Sequence, residues 1–175
     1  MQCLGAGSHG CCLAVQDTLT GEVFCLKVPR PTNQGLFEHS ALEREFRILR
    51  KFNHYNVVRA MVWVDSCDGN IHGFMMPRAC GNLWHFAQEG KLITRGDRVS
   101  LSVQVARGLS HVHAAGVVHL DMKPENLLTE CVAGRHLAMV ADFGQSKLGP
   151  RKGQRDVRVA CDAVNSSLYR PLHLM

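Results

Sequence analysis

The sequence predicts an α+β fold in two parts: a small β-rich part carrying one amphipathic helix, then a mainly helical part. Three observations predict it. Short apolar runs separated by glycine-bearing turns fill the first 28 residues and return from Val57 to Met76. Helical periodicity occupies Phe37 to Phe52 between them and returns from Gly81 to Gly116. The second helical stretch then runs into VVHLDMKPENLL, Val117 to Leu128, where polar groups crowd between apolar anchors.

The elements follow in order. Met1 to Val28 reads as strands joined by tight turns, with Cys11 to Val15 and Glu22 to Val28 on either side of Thr18 to Gly21. Gly5, Gly7 and Gly10 let the backbone turn sharply and approach a phosphate closely. In Phe37 to Phe52, Leu42, Phe46, Leu49 and Phe52 recur at spacings of four, three and three, so they share a face, and Glu45 flanks it. The runs VVRAMVWV and IHGFMM are split by DSCDGN, whose residues suit a hairpin turn. In the second helical stretch, Thr94 with Asp97 resembles a capping box, Leu101, Val105, Leu109 and Val112 form a stripe, and Gly116 terminates it. His111 and His113 on that helix read as packing or surface residues. Leu137 to Val140 is a short strand, and Gln145 to Asn165 reads as a segment without firm structure.

At 175 residues, 46% hydrophobic and 20% charged, the chain is ordinary globular material that can bury a core. Its longest apolar runs fall far short of a bilayer span, and the N-terminus enters the glycine turn without a signal-like segment. The expectation is an intracellular chain, cytoplasmic with nuclear as the alternative, and with no membrane partner. The eight cysteines are scattered without CxxC pairs and several fall in strands read as buried, which favours reduced thiols. The ten histidines form no ligand pattern with them, so no structural zinc is expected. Four of the five excess positive charges lie from Gln145 onward, where six basic residues face two aspartates. Without interleaved aromatics this is a solvated segment rather than a nucleic-acid surface.

Within VVHLDMKPENLL, Asp121 is followed by Lys123 two residues on and by Asn126 five on. A carboxylate, an ammonium and a carboxamide suit phosphoryl transfer, which needs a hydroxyl oriented, a phosphate neutralised and a metal held. A polar loop that happens to contain these residue types is the competing reading.

The stretch resembles the catalytic loop of protein kinases, and other parts of that family follow in the same order. LGAGSHG lies at Leu4 to Gly10, Lys27 ends the strand VFCLK, Glu45 sits in the first helix, and DFG occupies Asp142 to Gly144. The resemblance implies a two-lobe kinase-like fold: an N-lobe over 1–76, a hinge over 77–80, the catalytic part of an incomplete helical C-lobe over 81–144, and a truncated activation segment over 145–175. It implies ATP and Mg²⁺ as cofactors and a protein serine or threonine as acceptor, Lys123 being the serine/threonine pattern. Lys27 would bind the α- and β-phosphates and Glu45 would position it, ahead of Glu38 and Glu43. Leu4, Cys12, Cys25 and Leu128 would enclose the adenine, Met76 would be the gatekeeper, and Pro77 to Ala79 the hinge. Pro77 keeps a carbonyl for the adenine amino group, and the N–H of Ala79 can donate to the ring. Asp121 would orient the substrate hydroxyl and accept its proton, Lys123 would neutralise the transferred phosphate, and Asn126 and Asp142 would ligate Mg²⁺, with Phe143 packing beneath the first helix.

Leu120 stands where most members carry an arginine that holds a phosphorylated activation loop, which implies that the enzyme, if active, does not need that phosphorylation. Similar HLD loops occur in the myosin-light-chain-kinase-like group. Pro171, Leu172 and His173 stand where an APE-type signature is expected, without its glutamate. The helices that normally pack beneath the catalytic loop have no counterpart, so the stripe on Leu101 to Val112 is expected to lack partners and the chain to be marginally stable. A catalytically inactive kinase-like module that binds nucleotide or a partner is the alternative function.

Overall fold

The computed structural model describes residues 2–7, 10–30, 39–67, 71–90, 94–132 and 135–149. Phe37, Glu38, Cys161, the turn residues 68–70 and the segment 150–175, with Pro171 to His173, lie outside the described residues. The chain divides into two compact units, Met1–Asn53 with Val58–Ala79, and His54–Val57 with the chain from Cys80 onward.

The first unit is built on a five-stranded antiparallel sheet in the order β1-β2-β3-β5-β4. Its strands are β1 (Gln2–Gly7), β2 (Gly10–Gln16), β3 (Val23–Val28), β4 (Val62–Asp65) and β5 (His72–Pro77). The β2–β3 turn is closed by Asp17, whose Oδ1 accepts the N–H groups of Leu19 and Thr20 at 2.7 and 3.0 Å. Gly21 supplies the positive φ of +74° that this turn requires. Helix α1 (His39–Leu49) lies against β5, and Phe46 meets the rings of Phe74 and Trp63 at 5.7 and 5.5 Å. Leu42, Ile48, Leu49, Phe52 and Phe74 are buried, each burial removing apolar surface equivalent to about 1.5–3 kcal/mol.

Glu45 is buried with them and does not flank the stripe. It stands three residues after Leu42 and four before Leu49, so helical geometry turns it inward, and a carboxylate there requires a partner.

Among its described residues the second unit carries two α-helices, α2 (Leu83–Gln88) and α3 (Arg95–Ala114), and more strand than its sequence suggests. Strands β6 (Gly81–Asn82), β8 (Leu127–Val132) and β9 (Arg135–Val140) form one sheet, while β7 (Val117–Val118) pairs with β10 (Lys147–Leu148). The helical stretch expected over 81–116 is therefore broken. Asn82 Oδ1 accepts the His85 N–H at 2.8 Å to start α2, and Gly90 takes a left-handed φ of +66° just after α2. The capping box starts α3: Thr94 Oγ1 accepts the Asp97 N–H at 3.0 Å, and Asp97 Oδ2 accepts the Thr94 N–H at 3.2 Å. Gly116, at φ +71°, follows its last turn. β10 falls inside the segment read as lacking firm structure. It is held by the β7 ladder and by a Gly149 N–H to Gly116 O bond of 2.7 Å.

Helix α3 packs on β9 through Gln104, whose Oε1 accepts the Ala138 N–H at 2.9 Å and whose Nε2 donates to His136 O at 3.1 Å. The His54–Val57 segment is tied in by Asn56, which donates to Ala138 O at 2.9 Å and accepts the Val140 N–H at 2.9 Å. Gly108 permits this approach, since a Cβ there would lie 2.3 Å from Asn56 O. Of the predicted stripe, Leu101 and Val112 are buried. Val105 and Leu109 are half-buried, and with Leu83, Leu101 and Leu127 they line a groove of about 350 Å³. His111 stacks on His54 at 4.9 Å and His113 is exposed.

All seven cysteines among the described residues are free thiols. Only Cys25 is buried, while Cys3, Cys67, Cys80 and Cys131 are exposed, so burial as a small hydrophobe explains fewer of them than the strand pattern suggests. Among the described residues no helix is long and apolar enough to cross a membrane.

Candidate active site

In the first unit, Lys27 is the centre of the candidate residues. Its strand position is buried, and its Nζ donates to Glu45 Oε1 and Oε2 at 2.7 and 2.8 Å. Cys12 lies opposite Lys27 in the β2–β3 ladder, and Cys25 lies opposite Met76 in the β3–β5 ladder. Strand alternation puts Cys12, Cys25 and Lys27 on one face. The Cys12 thiol hydrogen-bonds with Cys25, and this together with burial holds its pKa far above the usual thiol range. It therefore stays neutral beside the lysine.

The three glycines of the turn differ. A Cβ at Gly5 or Gly7 would meet nothing within 4 Å, whereas one at Gly10 would lie 2.6 Å from Val28 O. Gly10 is needed by the protein's own packing. Gly5 and Gly7 leave open space that a ligand can enter. Leu4 is 39% exposed on β1, Pro77 is exposed opposite Phe24, and Ala79 is half-buried.

In the second unit the catalytic-loop residues converge. Asp121 is 3% exposed, and its Oδ2 accepts from Lys123 Nζ at 2.8 Å and from Asn126 Nδ2 at 2.9 Å. Asn126 Nδ2 also donates to Asp121 O at 2.8 Å, and Asn126 O accepts the Ala141 N–H at 2.9 Å. Pro124 at the start of the 3₁₀ turn Pro124–Asn126 fixes the backbone that carries this carboxamide back toward Asp121.

His119 pins the loop from below. Its Nε2–H donates to Ala141 O at 2.9 Å, its Nδ1 accepts the Asp121 N–H at 3.2 Å, and its ring meets Phe143 edge-on at 4.7 Å. Burial lowers its pKa below the ordinary histidine value, so the neutral ring is the resident form. Phe143 is fully buried and its carbonyl accepts Ser146 Oγ–H at 2.6 Å. Leu128 is half-buried on β8, opposite Asn82 and Met139.

Two non-glycine residues among those described have positive φ, Leu120 at +66° and Asp142 at +61°. Such backbone costs on the order of 1 kcal/mol or more per residue and is held only where the surroundings enforce it. Both outliers lie at the candidate carboxylates.

The side chains also suit the cofactors. Asn126 and Asp142 offer hard oxygen donors of the kind Mg²⁺ takes, and Mg²⁺ commonly uses one or two protein ligands with substrate phosphates and water. Among the described residues no group of three or more His, Cys, Asp or Glu side chains could hold a metal alone.

His119 holds the loop at Asp121, and Asn56 and Gln104 hold β9, which leads into Asp142, yet the sequence pattern gave none of them a role. The only signal was local: a histidine two residues before Asp121, and an asparagine just before two valines.

An α+β chain in two units, with a lysine–glutamate pair in a β-rich unit and an aspartate–asparagine loop before a buried DFG phenylalanine, has the parts of a protein kinase. The sequence matches the protein kinase domain over residues 1–171, and the chain belongs to that family. It is 31% identical over 146 residues to calcium/calmodulin-dependent protein kinase type 1B of Rattus norvegicus, and 31% identical to that of Homo sapiens. It is 33% identical over 146 residues to mitogen-activated protein kinase kinase 7 of Arabidopsis thaliana. These alignments cover 83% of this chain and 42%, 42% and 45% of the three relatives, so the chain spans less than half their length.

Proposed function

We propose that this chain carries a serine/threonine protein kinase site that transfers the γ-phosphoryl group of ATP to a protein hydroxyl. The observation that carries the reading is Asp121, buried and aligned by Asn126 and Lys123 at 2.9 and 2.8 Å. The substrate oxygen attacks the γ-phosphorus, the bond from that phosphorus to the β–γ bridging oxygen breaks, and Asp121 accepts the hydroxyl proton. Lys123 neutralises the transferred phosphoryl group. Lys27, held by Glu45, binds the α- and β-phosphates, and the open space at Gly5 and Gly7 admits the phosphates to the backbone.

Leu4, Cys12, Cys25 and Leu128 enclose the adenine, with Met76 as gatekeeper and Pro77 to Ala79 as hinge. The neutral thiol of Cys12 suits that apolar role. Asn126 and Asp142 would hold Mg²⁺, which when bound neutralises charge on the phosphate oxygens. In this reading 1–76 is the N-lobe, 77–80 the hinge, 81–144 the catalytic part of the C-lobe and 145–175 the activation segment. Leu120, with no charge to pair with a phosphate, removes the need for activation-loop phosphorylation.

Incubating the chain with γ-labelled ATP, Mg²⁺ and a generic basic protein, then hydrolysing the product, tests the acceptor class. Labelled phosphoserine or phosphothreonine is expected. Phosphotyrosine alone would overturn the serine/threonine assignment.

A further inference from the structure

Four cysteines precede Lys27, and the catalytic reading uses only Cys12 and Cys25. The other two meet across the strands that form the glycine turn. Cys3 on β1 and Cys11 on β2 have their sulfurs 3.4 Å apart, in hydrogen-bond contact. β1 is exposed along its whole length, Cys3 included, and Cys11 is half-buried.

In the ladder Cys3 lies opposite Leu13, while Cys11 lies opposite Ala6, so the thiols are diagonal neighbours rather than a direct pair. Diagonal neighbours in a regular ladder stand about 7–8 Å apart, at or beyond the limit for a disulfide. Here the register shifts between Cys3 and Gly5, making Leu4 an extra residue that kinks β1 locally. The two thiols touch across that irregularity.

We propose that Cys3 and Cys11 form a peroxide-responsive dithiol that closes to a reversible disulfide across the glycine turn. The Cys3 sulfur, the more exposed, attacks one oxygen of hydrogen peroxide and breaks the O–O bond, giving a sulfenic acid and water. The Cys11 sulfur then attacks the Cys3 sulfur, its proton leaves with the displaced hydroxide as a second water, and the S–S bond forms. Two thiols are oxidised by two electrons and one peroxide is reduced to two waters. Burial and the bond to Cys3 raise the Cys11 pKa, which disfavours Cys11 as the first nucleophile toward peroxide.

Closing the pair takes the sulfurs from 3.4 Å to about 2.05 Å. The bulge at Leu4 lies where that movement is taken up, and it directly adjoins Gly5. The disulfide therefore shifts the backbone of β1 at Leu4 and Gly5. That this weakens ATP binding rests on the phosphate-binding reading above; formation of the disulfide does not.

The test treats the purified full chain with hydrogen peroxide, alkylates it in denaturant and cleaves before Asp17. No Lys or Arg precedes Lys27, so trypsin would leave all four cysteines on one peptide, whereas this cut separates Cys25 from Cys3, Cys11 and Cys12. The expected peptide ending at Gln16 is alkylated at Cys12 only, is two hydrogens lighter at Cys3 and Cys11, and regains both alkylation sites after dithiothreitol. In Cys3→Ser, Cys11 remains alkylatable after the same treatment. Cys11→Ser accumulates sulfenic acid at Cys3 that a dimedone probe captures. A bridge joining Cys12 to Cys25, or oxidation of Cys3 to sulfinic acid with Cys11 still alkylatable, overturns the proposal. Binding of a fluorescent ATP analogue to the oxidised and reduced forms is read separately. An unchanged affinity with the disulfide present counts against the phosphate-binding role of the turn and not against the dithiol.

Discussion

Lys27 Nζ sits 2.7 and 2.8 Å from the two carboxylate oxygens of Glu45, the side chains being 8% and 2% exposed. Removing one partner leaves the other charge buried, at a cost of about 3–5 kcal/mol, whereas replacing both with apolar residues of similar size is often neutral. Glu45→Gln is therefore expected to lower the urea midpoint strongly, and Lys27→Met with Glu45→Leu to restore most of the loss. Equal midpoints for Glu45→Gln and wild type would show that the pair does not carry this cost.

Gly108 should not tolerate a methyl group. Alanine is favoured over glycine in a helix by about 1 kcal/mol. A Cβ at 108, however, would stand 2.3 Å from the Asn56 carbonyl oxygen, which also accepts the Val140 N–H. Overpacking costs about 1–3 kcal/mol, and backbone on the opposing side cannot rotate away, so the clash outweighs propensity. Gly108→Ala is expected to lose about 2 kcal/mol. Gly96→Ala on the same helix, whose Cβ would meet its nearest atom at 3.6 Å, is expected to be neutral or stabilising. Equilibrium unfolding of the two variants makes the comparison.

Acid should weaken the fold through His119. Burial depresses its folded pKa, so the unfolded chain takes up a proton at a pH where the folded ring does not. Stability from this group is present above the unfolded value of about 6.5 and falls as the pH drops through it. His54 adds to the same slope, since burial and the neighbouring His111 lower its pKa too. Protonating His119 Nδ1 also removes the acceptor of the Asp121 N–H. Urea midpoints are expected to decrease from about pH 7.5 to about pH 5.5, and His119→Gln to reduce that decrease. A slope unchanged in His119→Gln would assign the effect elsewhere.

Much of the first unit was legible because period and turn chemistry agree there. The strands around Asp17 to Gly21 and the helix ending near Phe52 follow from alternation, turn residues and a helical stripe. Glu45 was misjudged only in burial, since a carboxylate on a core position is not an apolar signal. The second unit was harder to read. β8 escaped because Leu127 to Val132 mixes polar and apolar residues without alternation, whereas β9 was read from Leu137 to Val140 and only its first two residues and its partners Gln104 and Asn56, distant in sequence, were missed. The loop residues Asp121, Lys123 and Asn126 were legible by spacing, whereas the bonds that hold them depend on His119 and Ala141 across a turn that no periodicity records.

The most direct measurement is γ-phosphate transfer from Mg²⁺-ATP to a basic protein by the 175-residue chain, run beside Asp121→Asn with folding and ATP binding checked for both. The proposed role of Asp121 predicts transfer by the wild type and a rate lower by about 10²–10⁴-fold in the variant, with ATP binding retained. Equal rates in the two proteins, or no transfer by a folded wild type that binds ATP, would contradict it.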